Sequence, residues 1–258
     1  MSNTGSNVWF DLMTTDPAGA VRFYTEAIGW KTEQWASPDD GSPYTMWLAS
    51  TALGGVMELP DAARKMGAPP QWLAYTTVVD LDASVAKAVS LGAQVLAPAM
   101  DMPGVGRFAS LADPQGAVFA MFTPSTPASE PPADELGQFR WAELNTADYE
   151  TAWAFYTQLF DWHHRRTIDL GPSGPYLMWH DASLSTKGGM CNAAKLHGLH
   201  PHWLHYITVA DINAVAARIQ AHGGKVLRGP TQVPGGDWVA QCQDPQGAFF
   251  ALFAHAKP

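Results

Sequence analysis

The stretch HGLHPHWLH at residues 197–205 puts His197, His200, His202 and His205 close together in the chain. Neutral imidazoles are the usual ligands of zinc and nickel. The spacing argues against a shared site. The run leads into a strand, where His202 and His205 project to opposite faces, so it reads as a histidine-rich loop ahead of a strand. Cys191 and Cys242 read as small buried hydrophobes. The turns PGVGRF (103–108) and PGGDW (234–238) each precede a strand, and Arg107 is placed to meet an anion at a rim. No G-x-G-x-x-G, P-loop or G-x-S-x-G motif occurs, so dinucleotide, nucleotide and serine-hydrolase chemistry have no sequence support.

The elements that must position these residues are written twice. FYTEAIGW (23–30) matches FYTQLFDW (155–162) at an offset of 132, and SPYTMW (42–47) matches GPYLMW (174–179) at the same offset. QWLAYTTVVD (71–80) matches HWLHYITVAD (202–211) at 131, as DPQGAVFAMF (113–122) matches DPQGAFFALF (244–253). A near-constant register over this length means tandem duplication. The Pro- and Ser-rich TPSTPASEPPADELG between the copies reads as a linker. The expected division is residues 1–123, a linker at 124–137, and residues 138–258.

Within each copy the pattern divides again. VWFDLMTT alternates as a strand, and Asp16 and Pro17 open a helix as N-cap and first-turn proline. Strands are expected near 30–35, 44–49 and 55–59. WLAYTTVV then starts a second round, with a helix capped by Asp80 and ended by Gly92. Strands near 94–97, 106–111 and 117–122 complete it. Copy two repeats the order, with helices near 149–160 and 212–222. The fold class is α+β: two tandem domains, each of two βαβββ units.

Composition excludes other classes. Hydrophobic residues make up 47% and charged residues 15%, a globular balance. A net charge of −9 with 15 scattered Lys and Arg gives no basic face for nucleic acid. No apolar run reaches the roughly 20 residues of a membrane helix. MSNTGSNVW has neither a basic start nor an apolar core, so no signal peptide is expected. Two cysteines and no leader lead to a cytoplasmic expectation.

Paired βαβββ units, a D-x-x-x-A-x-x-F-Y helix and a DPQG turn before the last strand resemble the vicinal-oxygen-chelate superfamily, which includes glyoxalase I, extradiol dioxygenases and bleomycin-resistance proteins. The resemblance implies that each pair of units curls its strands into a ligand-binding cup. It also implies four metal ligands in metal-dependent members. Carried over by motif spacing, the first position falls on Trp9 and Trp141, the third on Ala74 and His205, and the fourth on Ala120 and Ala251. Near the second lie Glu58 in copy one and Met190, Cys191 and Asn192 in copy two. Of the six well-placed positions only His205 is of a type that can bind metal, so no metal cofactor is expected.

Strand alternation then turns Asp11 and Glu143 inward beside Trp9 and Trp141. A carboxylate there must be hydrogen-bonded to backbone, Arg, Tyr or Trp N–H, protonated, or kept for a ligand. Glu143 and His205 face one cup by this count and form the candidate acid–base pair. Ala120 and Ala251 add room, while Phe122, Phe253, Trp47 and Trp179 are the candidate walls. Met57 and Met190 read as core gap-fillers. The expected function is metal-free binding of a small apolar or aromatic molecule in the cups, with drug or metabolite sequestration as one form of it. The alternatives are an acid–base lyase or isomerase using Glu143 and His205, a metal-dependent lyase or dioxygenase with a displaced site, and a protein-interaction role with filled cups. The partner expected is a small molecule, not nucleic acid or membrane, with the chain a monomer or homodimer.

Overall fold

The computed structural model describes residues 4–36, 41–126 and 134–256. Part of the expected linker, residues 127–133, lies outside the described residues. Copy one runs β1 (Asn7–Thr14), α1 (Pro17–Ala27), β2 (Lys31–Ala36), β3 (Pro43–Leu48), β4 (Ala52–Glu58) and a short α2 (Asp61–Lys65). It continues with β5 (Gln71–Thr77), α3 (Leu81–Ser90), β6 (Gln94–Met102), β7 (Gly106–Ala112) and β8 (Val118–Pro124). Copy two repeats the order: β9 (Phe139–Asn145), α4 (Tyr149–Tyr156), β10 (His163–Asp169), β11 (Pro175–His180), β12 (Thr186–Cys191) and α5 (Ala193–His197). Then come β13 (His202–Thr208), α6 (Ile212–Ala221), β14 (Lys225–Gln232), β15 (Trp238–Gln243) and β16 (Phe249–Ala254). The short helices α2 and α5 were not expected; at five residues each they carry too little periodicity to read.

Each copy forms an open, mixed eight-stranded sheet. The orders are β2-β3-β4-β1-β5-β8-β7-β6 and β10-β11-β12-β9-β13-β16-β15-β14. Local chemistry sets the helix starts. Asp16, Asp80, Asp148 and Asp211 each accept first-turn backbone N–H groups through the side chain. Gly92 closes α3 with φ +99°, a conformation that favours glycine.

Packing groups the chain into two compact units that each draw on both copies. One comprises Met1–Trp9, Leu73–Glu130 and Trp141–Leu204; the other comprises Phe10–Trp72, Pro131–Arg140 and His205–Pro258. In the first, Tyr156 of α4 donates to Asp113 of the first DPQG turn at 2.9 Å. Phe119 packs edge-on against Phe155 and Tyr156, and Trp162 stacks on Trp179 at 4.7 Å. In the second, Tyr24 of α1 donates to Asp244 of the other DPQG turn at 3.2 Å and accepts from the Trp72 indole at 2.9 Å. Its core is aromatic: Tyr24, Trp30, Trp47, Trp72, Phe139 and Phe250 meet ring to ring.

Each turn carboxylate is also anchored locally. Asp113 accepts from the backbone N–H of Gln115 and Ala117, and Asp244 from those of Gln246, Gly247 and Ala248. Burial raises both carboxyls above the usual range, and these hydrogen bonds oppose the shift.

Candidate functional site

On β9 the even positions Ala142 and Leu144 are buried in the helix-packed core, so the odd positions Trp141, Glu143 and Asn145 occupy the opposite, open face. A hydrogen-bonded chain runs across that face. The Trp141 indole donates to the Tyr176 hydroxyl at 2.9 Å, and Tyr176 donates to Glu143 Oε2 at 3.0 Å. The Asn145 amide donates to Glu143 Oε1 at 3.2 Å. Cys191, opposite Asn145 in the strand register, donates through sulfur to Asn145 Oδ1 at 3.7 Å.

Glycine makes this possible. Tyr176 stands on β11 and must cross β12 to reach β9. It passes over Gly189, which pairs with Glu143. A Cβ at Gly189 would lie 2.0 Å from Tyr176 Cε1. Copy one repeats the device: Tyr44 of β3 donates to Asp11 Oδ1 of β1. Gly55 pairs with Asp11, and a Cβ there would lie 2.1 Å from the Tyr44 hydroxyl oxygen. Both carboxylates were expected on these faces; the two tyrosines were not. The signal was present as the Tyr of the repeated P-Y-x-M-W and the Gly-Gly of LGGV and KGGM.

Register corrects the third expected ligand position. Tyr75 pairs with Ala120 in the parallel β5–β8 ladder, and Tyr206 pairs with Ala251 in β13–β16. Phe119 and Met121 lie in the core, so Ala120 and its partner Tyr75 face the other way. By alternation Ala74 and His205 point into the core, one residue out of phase with the expected site. His205 is buried, with its ring edge-on to Phe10 at 5.2 Å and Phe139 at 6.1 Å. Burial pulls its pKa down to about 3, so its imidazole is neutral at physiological pH.

Trp47 and Trp179 are also corrections. Tyr44 and Met46 share the face of Asp11, so Trp47, one position out of phase, turns to the core. There it donates to the Gly55 carbonyl at 2.8 Å and meets Tyr24 and Trp30. Trp179 likewise turns to the core, where its ring meets Trp162 and Trp203. Both are at most 1% exposed, buried within these aromatic clusters. Phe122 is half-buried, and pairs with Phe108, whose ring meets Tyr75 at 5.7 Å. Phe253 lies under the Arg140 guanidinium at 4.1 Å and beside His255. Trp9 is half-buried on β1.

Other candidates are committed elsewhere. Glu58 is exposed and paired with Arg64 at 2.8 Å. Arg107 is held by Asp82 at 2.5 Å and Asp101 at 2.7 Å, which corrects its expected role at a rim. His197 and His200 are exposed, and His202 contacts the His200 carbonyl through Nδ1 at 2.9 Å. Cys242 is buried, and burial pushes its thiol up to about 12. Met190 is core as expected, whereas Met57 is 39% exposed on the open face.

The repeats and the sheet orders agree with what sequence and structure comparison finds. The model of the Glyoxalase/Bleomycin resistance protein/Dioxygenase superfamily matches residues 138–252, and a glyoxalase-like domain model matches residues 7–122. CFP32 of Mycobacterium bovis, which carries a provisional glyoxylase name, is 34% identical over 98% of this chain and 95% of its own. The chain belongs to this superfamily. The anthracycline biosynthesis protein DauV of Streptomyces sp. strain C5 is 29% identical, over 96% of this chain and 92% of its own. Among solved structures, the Mn(II)-bound glyoxalase of Novosphingobium aromaticivorans superposes with a TM-score of 0.68 at 11% identity, covering 100% of this chain and 84% of that one. A homoprotocatechuate 2,3-dioxygenase variant from B. fuscum gives 0.68 at 13% identity, over 99% and 72%. At that identity both show the fold alone.

The superfamily implies a divalent metal, and the residues present do not fit one. The ligand positions on the open faces carry Trp9, Trp141, Tyr75, Tyr206, Ala120 and Ala251. Four of these six are indole or methyl groups, which coordinate nothing; a single phenol in each copy makes no ligand set, and the nearby carboxylates Asp11 and Glu143 accept from tyrosines. Among the described residues no three His, Cys, Asp or Glu side chains gather as a metal site. No helix there is long and apolar enough to cross a membrane.

Proposed function

We propose that this chain binds a small apolar or aromatic organic molecule on the open faces of its sheets, without a resident metal. The observation that carries this reading is that Trp141 stands at a ligand position and is tied through Tyr176 to the carboxylate Glu143. In a metal-dependent relative the position of Trp141 holds a ligand to the ion. Here the half-buried Trp141 presents ring surface instead, and the neighbouring carboxylate Glu143 accepts from a tyrosine and an amide. Such a face offers apolar area with a polar group to orient what binds. Support for an aromatic ligand comes also from DauV, named for anthracycline biosynthesis, since an anthracycline is a flat polycyclic aromatic. Sequestration of such a compound, as in drug resistance, fits the same face.

Acid–base catalysis by Glu143 with His205 has less support. His205 points to the core and takes up a proton only near pH 3, which makes it a poor proton carrier at neutral pH. The test is twofold. Elemental mass spectrometry of the untagged protein should find far less than one metal per chain. A thermal-shift screen of flat aromatics should give stabilisation that chelator leaves unchanged. One tightly held metal per chain, with loss of binding in chelator, would overturn the proposal.

A further inference from the structure

The two carboxylate–tyrosine faces are built alike and furnished differently. On the first copy's face, Met13 pairs with Met57 across β1 and β4. Met46 pairs with Gly55 and, on its other side, with Glu33 of β2. Trp35 pairs with Tyr44 and meets its ring edge-on at 6.2 Å. Met13, Met46, Trp35 and Tyr44 are half-buried and Met57 is exposed, so all present surface. Tyr44 lies flat over Gly55 because no Cβ is there.

The second copy has other residues at the matching places. Asn145 and Cys191 replace Met13 and Met57, and Ile168 pairs with Tyr176 where Trp35 pairs with Tyr44. Arg166 pairs with Met178 where Glu33 pairs with Met46, and its Nε donates to the Met178 sulfur at 3.5 Å. The charge at this position is thereby reversed, while Glu143 keeps the place of Asp11.

Thioethers are soft, flexible and attracted to aromatic rings, and they suit a surface that accepts flat molecules of varied outline. Asp11 and Glu33 on this face outnumber Lys31, which alternation places beside Glu33 on β2, and so favour positive charge on what binds. Resting on the binding function above, we infer that the first copy's face is the site of a planar aromatic cation, seated on Met13, Met46, Met57, Trp35 and Tyr44. The second copy's face, with Asn145, Cys191 and Arg166, does not take this ligand.

The test uses the full chain and three flat probes: proflavine (a cation), anthracene-2-carboxylate (an anion) and 9-anthracenemethanol (neutral). Titration by calorimetry should give one proflavine per chain, with the carboxylate at least tenfold weaker. Oxidation by dilute peroxide, read by peptide mass spectrometry, should slow severalfold at Met13, Met46 and Met57 when proflavine is bound, and stay unchanged at Met178. The variant Met13→Asn/Met57→Cys carries side chains the second copy already uses at these places. It should melt within a few degrees of the parent and lose at least tenfold in proflavine affinity. Glu33→Arg, at an exposed position, should weaken proflavine and narrow its gap to the carboxylate. Protection of Met178 instead, equal binding of the anion, or unchanged affinity in both variants would overturn the inference. Binding of 9-anthracenemethanol without proflavine would sink this inference and leave the general function standing. Failure of all three probes would sink both.

Discussion

A tyrosine reaching over a glycine to a carboxylate is the chemical unit of both open faces, and it depends on one absent methyl group. Gly189→Ala would drive a Cβ to 2.0 Å from Tyr176 Cε1. The ring must leave, breaking its bonds to Trp141 and Glu143 together. We expect a loss of roughly 2–4 kcal/mol from overpacking and the lost hydrogen bonds, measured by urea denaturation; a change under about 0.5 kcal/mol would refute it. The carboxylates of this unit were legible in the sequence, because period-two alternation from Trp9 and Trp141 reaches Asp11 and Glu143. The tyrosines were not, because their approach depends on β4 pairing with β1, and β12 with β9. No local pattern states which strands pair. His205 shows the converse error: a one-residue slip in counting back from Asp211 moves a side chain from core to open face. Its burial gives a second prediction. With a folded pKa of about 3 and an unfolded value near 6.5, only the unfolded chain takes the proton between those limits. His205 therefore costs stability as pH falls through that window, by about 1.4 kcal/mol per pH unit, and contributes no slope above it. The raised Asp113 and Asp244 oppose it, since falling pH neutralises them first in the folded state. The clean measurement is the stability difference between parent and His205→Leu at pH 7 and pH 5. The difference should move in the variant's favour on acidification; a constant difference would refute the assignment.

At the scale of elements, capping and alternation were readable and short helices were not. Asp16 with Pro17, Asp80 and Gly92 mark helix ends by chemistry that acts within a few residues, so they need no tertiary knowledge. Trp47 and Trp179 were misplaced because a tryptophan suits a core as well as a pocket, and only the phase against Tyr44 or Tyr176 decides between them. The DPQG turn was readable as a repeat, but its purpose lies in another element. Gln115 donates to the Asp148 carbonyl at 2.8 Å and accepts from the Asp148 N–H at 2.8 Å, so the turn holds the cap of α4. Asp113 meanwhile accepts from Tyr156 on the same helix. Tyr156→Phe removes one donor from a buried carboxylate and should cost about 2 kcal/mol. It should also raise the Asp113 pKa further, because the Tyr156 bond is among those that lower it. Denaturation midpoints of Tyr156→Phe and Tyr24→Phe check this. Equal losses are expected, since Tyr24 serves Asp244 in the same way.

For the whole molecule, the duplication is a packing requirement and not merely a doubling. The closing turn of each copy holds the opening helix of the other: Asp113 with Tyr156, and Asp244 with Tyr24. Indole bonds cross the same way, Trp162 to the Gly5 carbonyl at 2.8 Å and Trp30 to the Gly137 carbonyl at 2.9 Å. Gln138 reaches the hydroxyls of Ser50 and Thr51. Constant offsets in the sequence revealed two copies, and two superfamily models match them one by one. The sequence could not reveal the exchange. Identical motifs in both copies make Tyr24 with Asp113 and Tyr24 with Asp244 equally good on paper. Since each compact unit takes segments from both copies, neither copy contains a complete aromatic core of its own. A protease site inserted within residues 127–133 should therefore cut the chain without separating it. The two fragments should co-elute in gel filtration at the mass of the intact chain and retain its near-ultraviolet signal. Adding Asp113→Ala and Asp244→Ala to the cut protein removes the paired anchors and should release the fragments at lower denaturant than cutting alone. Fragments that part spontaneously after the single cut, each still folded, would mean that the copies are self-sufficient and that these crossed bonds are incidental to stability.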